Sequence, residues 1–327
     1  MVSIRKFSKE YFEKWNNFID LSNNGTVFHR LDFLNYHKER FLDNENHLMW
    51  FKGDSIIAVM PMAIFELGGK KIAKSPYGGS YGGIITRGVL NYSTSNIIAQ
   101  SLIQFLIDNQ INELFITSPI KFLEIYECDT LIFSLLEQGF KFNNSDISSV
   151  VNLAHADLEN KVFTSRARNM TRKAKNFKID IKFKQPVVDF WNLMELTFNK
   201  HGTQPTHSFE EWKYLCDTFP HSFWNDIAYL NGRPVAGIGH IKINRWTDSS
   251  FYLCSDPEFS NTQALTLLIS EVILKSKIEG FIWFDFGTSS MNMKARENIF
   301  RFKESFGAVG MFRHTIYWGK IDQNGKY

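Results

Sequence analysis

An aspartate inside an apolar run is the first residue equipped for chemistry. In "FIWFDFGTSS", Asp285 stands between Phe284 and Phe286, two residues after Trp283. A carboxylate in such company must be paired, lie at a strand end, or work. Strand alternation puts Trp283 and Asp285 on one face and the two phenylalanines on the other. A partly buried carboxyl has a raised pKa and can act as a general base. The competing reading is a structural aspartate bonded to the backbone of the Gly-Thr-Ser-Ser that follows. Two histidines compete for the same role. His207, in "QPTHSFEEW", stands just before a helix, and an unperturbed imidazole suits proton removal near neutrality. His240, in "AGIGHIKI", shares a strand face with Ile238 and Lys242, which is equally the place of a core histidine.

Three further stretches have the composition of binding elements. "FTSRARNMTRKAKNFK" carries six basic side chains. Ser165 can cap a helix there, on which Arg168, Arg172 and Lys175 form one stripe. The stripe is either a solvated face or a phosphate clamp, the task for which a bidentate guanidinium is best suited. "SPYGGSYGGIIT" sets Tyr77 and Tyr81 beside glycine pairs, as a tight bend or as a wall on which a ring stacks. In "DPEFSNTQALTLL", the backbone N–H groups of Ser260, Asn261, Thr262, Gln263 and Ala264 open a helix and can hold a pyrophosphate.

The elements that must position these residues occur twice. "MWFKGDSIIAVMPMAIFELGGKKIAKS" and "IAYLNGRPVAGIGHIKINRWTDSSFYLCS" each read as strands joined by Gly-containing turns. A long apolar-faced helix follows each, with Ile97, Ile98, Leu102, Phe105 and Leu106 in the first and Leu265, Leu268, Ile269, Val272 and Ile273 in the second. A short buried strand follows each helix, "ELFITS" and "FIWFDFGTS". The pattern predicts an α/β (α+β) chain of two tandem units, each a mixed, mostly antiparallel sheet flanked by helices. The units are expected over residues 1–150 and 151–327.

The bulk composition narrows the classes. At 327 residues, 44% hydrophobic and 22% charged, the chain has ordinary globular composition. A net charge of +3 argues against duplex-DNA binding. Three scattered cysteines, Cys128, Cys216 and Cys254, offer no zinc site or disulfide framework, and a cytoplasmic location is expected. The start lacks the apolar stretch of a secretory leader, and no run suits a membrane helix.

In order and in local strings the chain resembles tandem GNAT acyltransferases of the FemAB-like group. This group includes sugar N-acyltransferases of bacterial polysaccharide clusters. The strings are "VFHRLDFLNYH", "SPYGGSYGGIIT", "SRARNMTRKAKN", "HGTQPTHSFEEWKYL", "YLCSDPEFSNTQALTLLISEVI", "WFDFGTSSMN" and "RFKESFGA". The resemblance implies an enzyme with one functional cleft, most of its catalytic groups coming from the second unit. It implies N-acyl transfer from acyl-CoA to the amine of a nucleotide-linked amino deoxysugar (dTDP- or UDP-), as in O-antigen and other surface polysaccharide synthesis. Arg168 and Arg172 would face the nucleotide diphosphate, and Arg30 and Lys303 match other basic positions of the cleft. Tyr252 would protonate the leaving thiolate. His240 and the Tyr77–Tyr81 loop would complete the acceptor side, and no metal is implied. The R/Q-x-x-G-x-G/A loop typical of GNAT proteins is missing, which leaves two alternatives. One is a FemAB-type transferase using aminoacyl-tRNA on a peptidoglycan precursor. The other is a non-catalytic nucleotide-binding module.

Overall fold

The computed structural model describes residues 2–319. The chain begins β1 (Val2–Lys6), α1 (Phe12–Asp20), α2 (Leu31–Leu34), β2 (Leu48–Lys52), β3 (Ser55–Met60), β4 (Ala63–Leu67) and β5 (Lys70–Ser75). Then come β6 (Ile85–Thr86), α3 (Tyr92–Asp108), β7 (Glu113–Thr117), α4 (Thr130–Glu137) and β8 (Lys141–Asn152). It continues through α5 (Leu158–Lys161), α6 (Ser165–Lys175), β9 (Asp180–Lys182), α7 (Val187–His201), α8 (Phe209–Thr218), β10 (Phe223–Leu230) and β11 (Arg233–Ile241). It ends with β12 (Thr247–Ser255), α9 (Ala264–Ile278), β13 (Trp283–Thr288), β14 (Ser290–Met291), β15 (Lys294–Ala295), α10 (Glu297–Glu304) and β16 (Val309–Gly319).

Two compact units result. One holds the chain up to Ser145 together with the segment from Phe312, and the other is Asp146–Met311. The division expected after residue 150 thus falls within β8, and β16 returns the chain to the first unit. In the first unit β1, β2, β3 and β6 form one antiparallel sheet, while β4, β5, β7 and the end of β16 form a second run. In the second unit the order is β8-β13-β12-β11-β10-β9.

The duplicated pattern reappears as geometry. β5 and β7 are parallel and joined across α3, as β12 and β13 are across α9. A parallel return needs such a crossover helix. The β10–β11 turn places Asn231 at φ 51° and Gly232 at φ 79°. Two consecutive left-handed residues make a tight turn that matches strand twist.

The helices differ in how they are covered. On α3, Ile98, Ala99, Leu102 and Leu106 are buried, but Ile97 is exposed, so the apolar face is narrower than the sequence pattern indicates. α9 is buried nearly all round, Thr266, Leu267, Ser270 and Ser276 included, because α6 packs over it while it lies on β10–β12. Each unit has its own core. One gathers Trp50, Met60, Leu102, Leu114 and Ile316. The other gathers Leu268, Val272, Phe284, Phe286 and Phe306.

Two details of the second unit prepare the site. β12 and β13 pair only at Thr247 with Trp283, Asp248 with Phe284 and Ser249 with Asp285. Beyond that point the two strands no longer pair, leaving one edge of β12 without a strand partner from Ser250 until Ser255, whose N–H and carbonyl are both bonded to the Thr197 hydroxyl. On its other edge the register shifts. Gly239 faces Tyr252 and His240 faces Ser250, so Phe251 is a bulge residue, and a bulge re-aims its neighbours.

Candidate active site

Tyr252 follows that bulge. Its hydroxyl lies 2.8 Å from His207 Nδ1 and accepts the His207 backbone N–H at 3.2 Å. His207 is placed just ahead of α8, whose start is held by a reciprocal capping box between Ser208 and Glu211. Burial pushes the Tyr252 phenol up to about 12, against the opposing bonds from His207 and Thr206. It therefore stays protonated near neutral pH and acts as a donor. A groove of about 630 Å³ opens on it, lined by Thr197, Phe198, Tyr252, Leu253, Arg296 and Ile299 among others. A second pocket of about 400 Å³ has His207 in its wall, with Trp191, Met194, Glu195 and Pro205. Phe198 lines both. The hydrogen-bonded pair thus has one member in each of two neighbouring cavities.

Asp285 is 3% exposed and accepts the Gly287 N–H at 2.7 Å. Lys303, from α10, is 5% exposed and donates to the carbonyls of Gly287 and Thr288 at 2.9 and 2.8 Å. Burial lowers its pKa to about 8, with Asp285 raising it and Arg296 lowering it further. Both side chains hold the bend where β13 turns away, and neither lines the two cavities. The phenylalanines flanking Asp285 face the core, as alternation requires.

His240 is enclosed. Its Nδ1 lies 3.0 Å from Asp248, its Nε2 lies 3.3 Å from Asp226, and its ring stacks on Trp224 at 4.7 Å. Burial opposes a charge on the imidazole, yet the two carboxylates outweigh it and raise its pKa to about 10. Asp248 also accepts the Ser276 hydroxyl at 2.7 Å, and Asp226 the Lys184 N–H at 2.8 Å. The group is a buried aspartate–histidine–aspartate cluster across three strands.

The basic helix begins at Ser165, and its cap lies one residue earlier than expected. Thr164, not Ser165, accepts from the Ala167 N–H. Arg168 is turned onto the carbonyls of Asn160 and Phe163, Arg172 is exposed beside Asn169, and Lys175 lies 3.8 Å from Glu271. At the start of α9, Ser260, Asn261 and Thr262 belong to a short 3₁₀ turn and Gln263 is left-handed. Two of the amides there are engaged, Gln263 by the Ser260 carbonyl and Ala264 by the Thr262 hydroxyl. The same turn holds Asp256 and Glu258, bridged by Arg233.

Arg30, Tyr77 and Tyr81 belong to the first unit. Arg30 is paired with both Asp20 and Asp32. Tyr77 is buried and donates to Glu45 at 2.9 Å, and Tyr81 is buried with the Arg313 guanidinium 5.1 Å over its ring. The glycines of this loop serve packing: a Cβ on Gly82 would stand 2.3 Å from the Pro76 nitrogen.

Sequence reasoning did not single out Arg296, Phe198, Phe251 or Glu195. Arg296 stands among other charges in "KARE" and belongs to no motif, while Glu195 falls inside the apolar run "LMELTF", the same kind of signal that marked Asp285. Phe251 adjoins Tyr252 in "FYLCSD", where an adjacent aromatic pair inside a strand is the available hint.

The two units define a tandem GNAT fold, and the chain has the fold of FemAB-like proteins. It is similar to FemX, with a TM-score of 0.72, 10% identity and 97% of each chain covered. It is similar to L-PGS from Bacillus licheniformis, with a TM-score of 0.58 and 12% identity over 96% of this chain and 92% of that one. It is also similar to a tandem GNAT protein from the clavulanic acid biosynthesis pathway, with a TM-score of 0.55 and 8% identity over 98% of each. No family model matches the sequence, and no curated protein is similar to it in sequence. Among the described residues, no helix is long and apolar enough to cross a membrane.

Proposed function

We propose that the chain is an acyltransferase that moves an acyl group from an activated carrier to an amine, with the reaction in the Tyr252 groove. The observation that carries this reading is the open edge of β12, where a protonated Tyr252, bonded to His207, faces a groove in a FemX-like fold. An extended acyl carrier can lie along that edge and bond to its unpaired backbone groups. The amine nitrogen attacks the acyl carbon, the new C–N bond forms, and the bond to the carrier breaks. Tyr252 gives its proton to the leaving atom. His207 receives the proton lost by the amine and passes one back to the tyrosine oxygen. The base role goes to His207 rather than Asp285, because His207 borders a cavity and Asp285 is spent on the Gly287 N–H.

The carrier is read as aminoacyl-tRNA, as in FemAB-like enzymes. The resemblance to FemX along the whole chain supports this, as does the turn before α9, where the Gln263 and Ala264 amides are engaged and Asp256 and Glu258 add negative charge unfavourable to a pyrophosphate. A second reading keeps the chemistry and has acyl-CoA acylating a nucleotide-linked amino sugar. It is supported by the exposed Arg172 on α6, which has no carboxylate within 4.0 Å among the described residues. The test is product mass spectrometry with charged tRNA plus a peptidoglycan precursor, beside acyl-CoA plus dTDP- and UDP-linked amino sugars. Turnover in one set chooses the donor. Nucleotide binding without turnover in either leaves a non-catalytic module and overturns the proposal.

A further inference from the structure

We propose that Arg296 is the anchor for an anionic group, a phosphate or a carboxylate, carried by the ligand of the Tyr252 groove. The inference rests on the reading of that groove as the reaction site and adds the charge of what it takes. Arg296 lines the groove together with the apolar side chains of Phe198, Leu253 and Ile299, with Tyr252 in the same lining. Its backbone is fixed. The Arg296 N–H donates to Ser289 at 2.9 Å, and its carbonyl accepts from Ile299 and Phe300 at 2.9 and 3.0 Å.

Its guanidinium is not committed in the same way. It donates to the Met291 sulfur at 3.1 Å, a weak acceptor, and no carboxylate among the described residues lies within 4.0 Å. Arg30 and Arg233, by contrast, each hold two carboxylates. Glu297, the acid nearest in sequence, also lines the groove, but its carboxylate is paired with Arg301 at 3.5 Å rather than with Arg296. The positive end of α10 begins at Arg296 as well, so backbone partial charge adds to that of the side chain. Lys303 is a second cation close enough to be disfavoured by Arg296. A groove with an uncommitted planar fork, a helix start and no paired acid at the fork selects an anion, and an apolar wall beside it selects a ligand with an apolar body.

The test is calorimetric titration of the whole chain at low ionic strength with two probes, inorganic pyrophosphate and glutarate. Arg296→Gln should weaken whichever probe binds by roughly 10- to 100-fold, the span of one charge-assisted contact. Arg296→Lys should weaken it less, since the charge stays and the fork is lost. Arg245→Gln, an exposed arginine outside the groove lining, should bind as wild type does. Preference for pyrophosphate assigns a phosphate source, and preference for glutarate a carboxylate source. Both support the site. The proposal is overturned if neither probe binds wild type, or if Arg296→Gln binds as well as wild type. Binding is read without turnover, so an Arg296-dependent site in a chain that transfers no acyl group would sink the function and keep the anchor. Turnover with Arg296-independent binding would do the reverse.

Discussion

Replacing His240 by glutamine removes the one cation between two buried carboxylates. The folded pKa of about 10 lies above the ordinary 6.5, so the folded chain keeps this proton where the unfolded chain gives it up. The stabilisation is therefore fully present below pH 6.5 and is lost as pH rises through 10. Linkage puts its size on the order of 3–5 kcal/mol at pH 6, falling by roughly 3 kcal/mol by pH 9. Breaking a buried ion pair from one side costs a similar amount, about 3–5 kcal/mol, because Asp226 and Asp248 are left facing each other. His240→Gln should thus lose about that much at pH 6 and much less at pH 9. Urea denaturation of both proteins at the two pH values reads the difference. Lys303, whose lowered pKa gives stability the opposite pH trend, is common to both proteins and cancels. Adding Asp226→Asn to the glutamine variant should recover part of the loss. A penalty below about 1 kcal/mol, or one equal at pH 6 and pH 9, would refute a charged imidazole in the cluster.

Three other outcomes are expected. Tyr252→Phe keeps the ring and should lower kcat by roughly 10²–10⁴-fold with KM nearly unchanged, in whichever transfer assay gives turnover; an undiminished kcat would remove Tyr252 from the chemistry. Asp285→Asn should cost about 1–3 kcal/mol in thermal or urea unfolding, since it strips the charge beside buried Lys303, and should leave a working enzyme with no rescue at high pH. A stable Asn variant whose rate collapses and then recovers at high pH would return the base role to Asp285. Gly82→Ala should destabilise the first unit by more than about 3 kcal/mol, because its Cβ meets backbone at 2.3 Å. A soluble alanine variant with an unchanged melting curve would show that the loop can move aside.

Much of the architecture was legible in the sequence. Strand alternation, the Asn231-Gly232 turn and the helical spacing of α3 and α9 are local patterns, and each element reads its own signal within a few residues. The repetition of strand, crossover helix and parallel strand then followed from order alone. Where the reading slipped, tertiary covering was the cause. Ile97 has the right spacing but faces outward, while α9 is covered by α6 on the side an amphipathic helix leaves open.

The same division holds at the site. The amino-acid sequence by itself determined the two-unit GNAT-like plan and the presence of Tyr252, His207, Asp285 and Lys303, because residue type and periodicity are properties of the chain. Tertiary structure alone decided which of them meet. Tyr252 and His207 are 45 residues apart and become partners through a bulge in β12 and a capped start to α8. It also decided which charges are free. Arg30 and Arg233 are cancelled by carboxylates that folding brings to them, His240 is locked between two, and Arg296, unmarked in the sequence, meets none among the described residues. The physical reason is that a side chain's pKa and availability depend on burial and on charges within a few ångströms, and strand register, not sequence proximity, sets those neighbours.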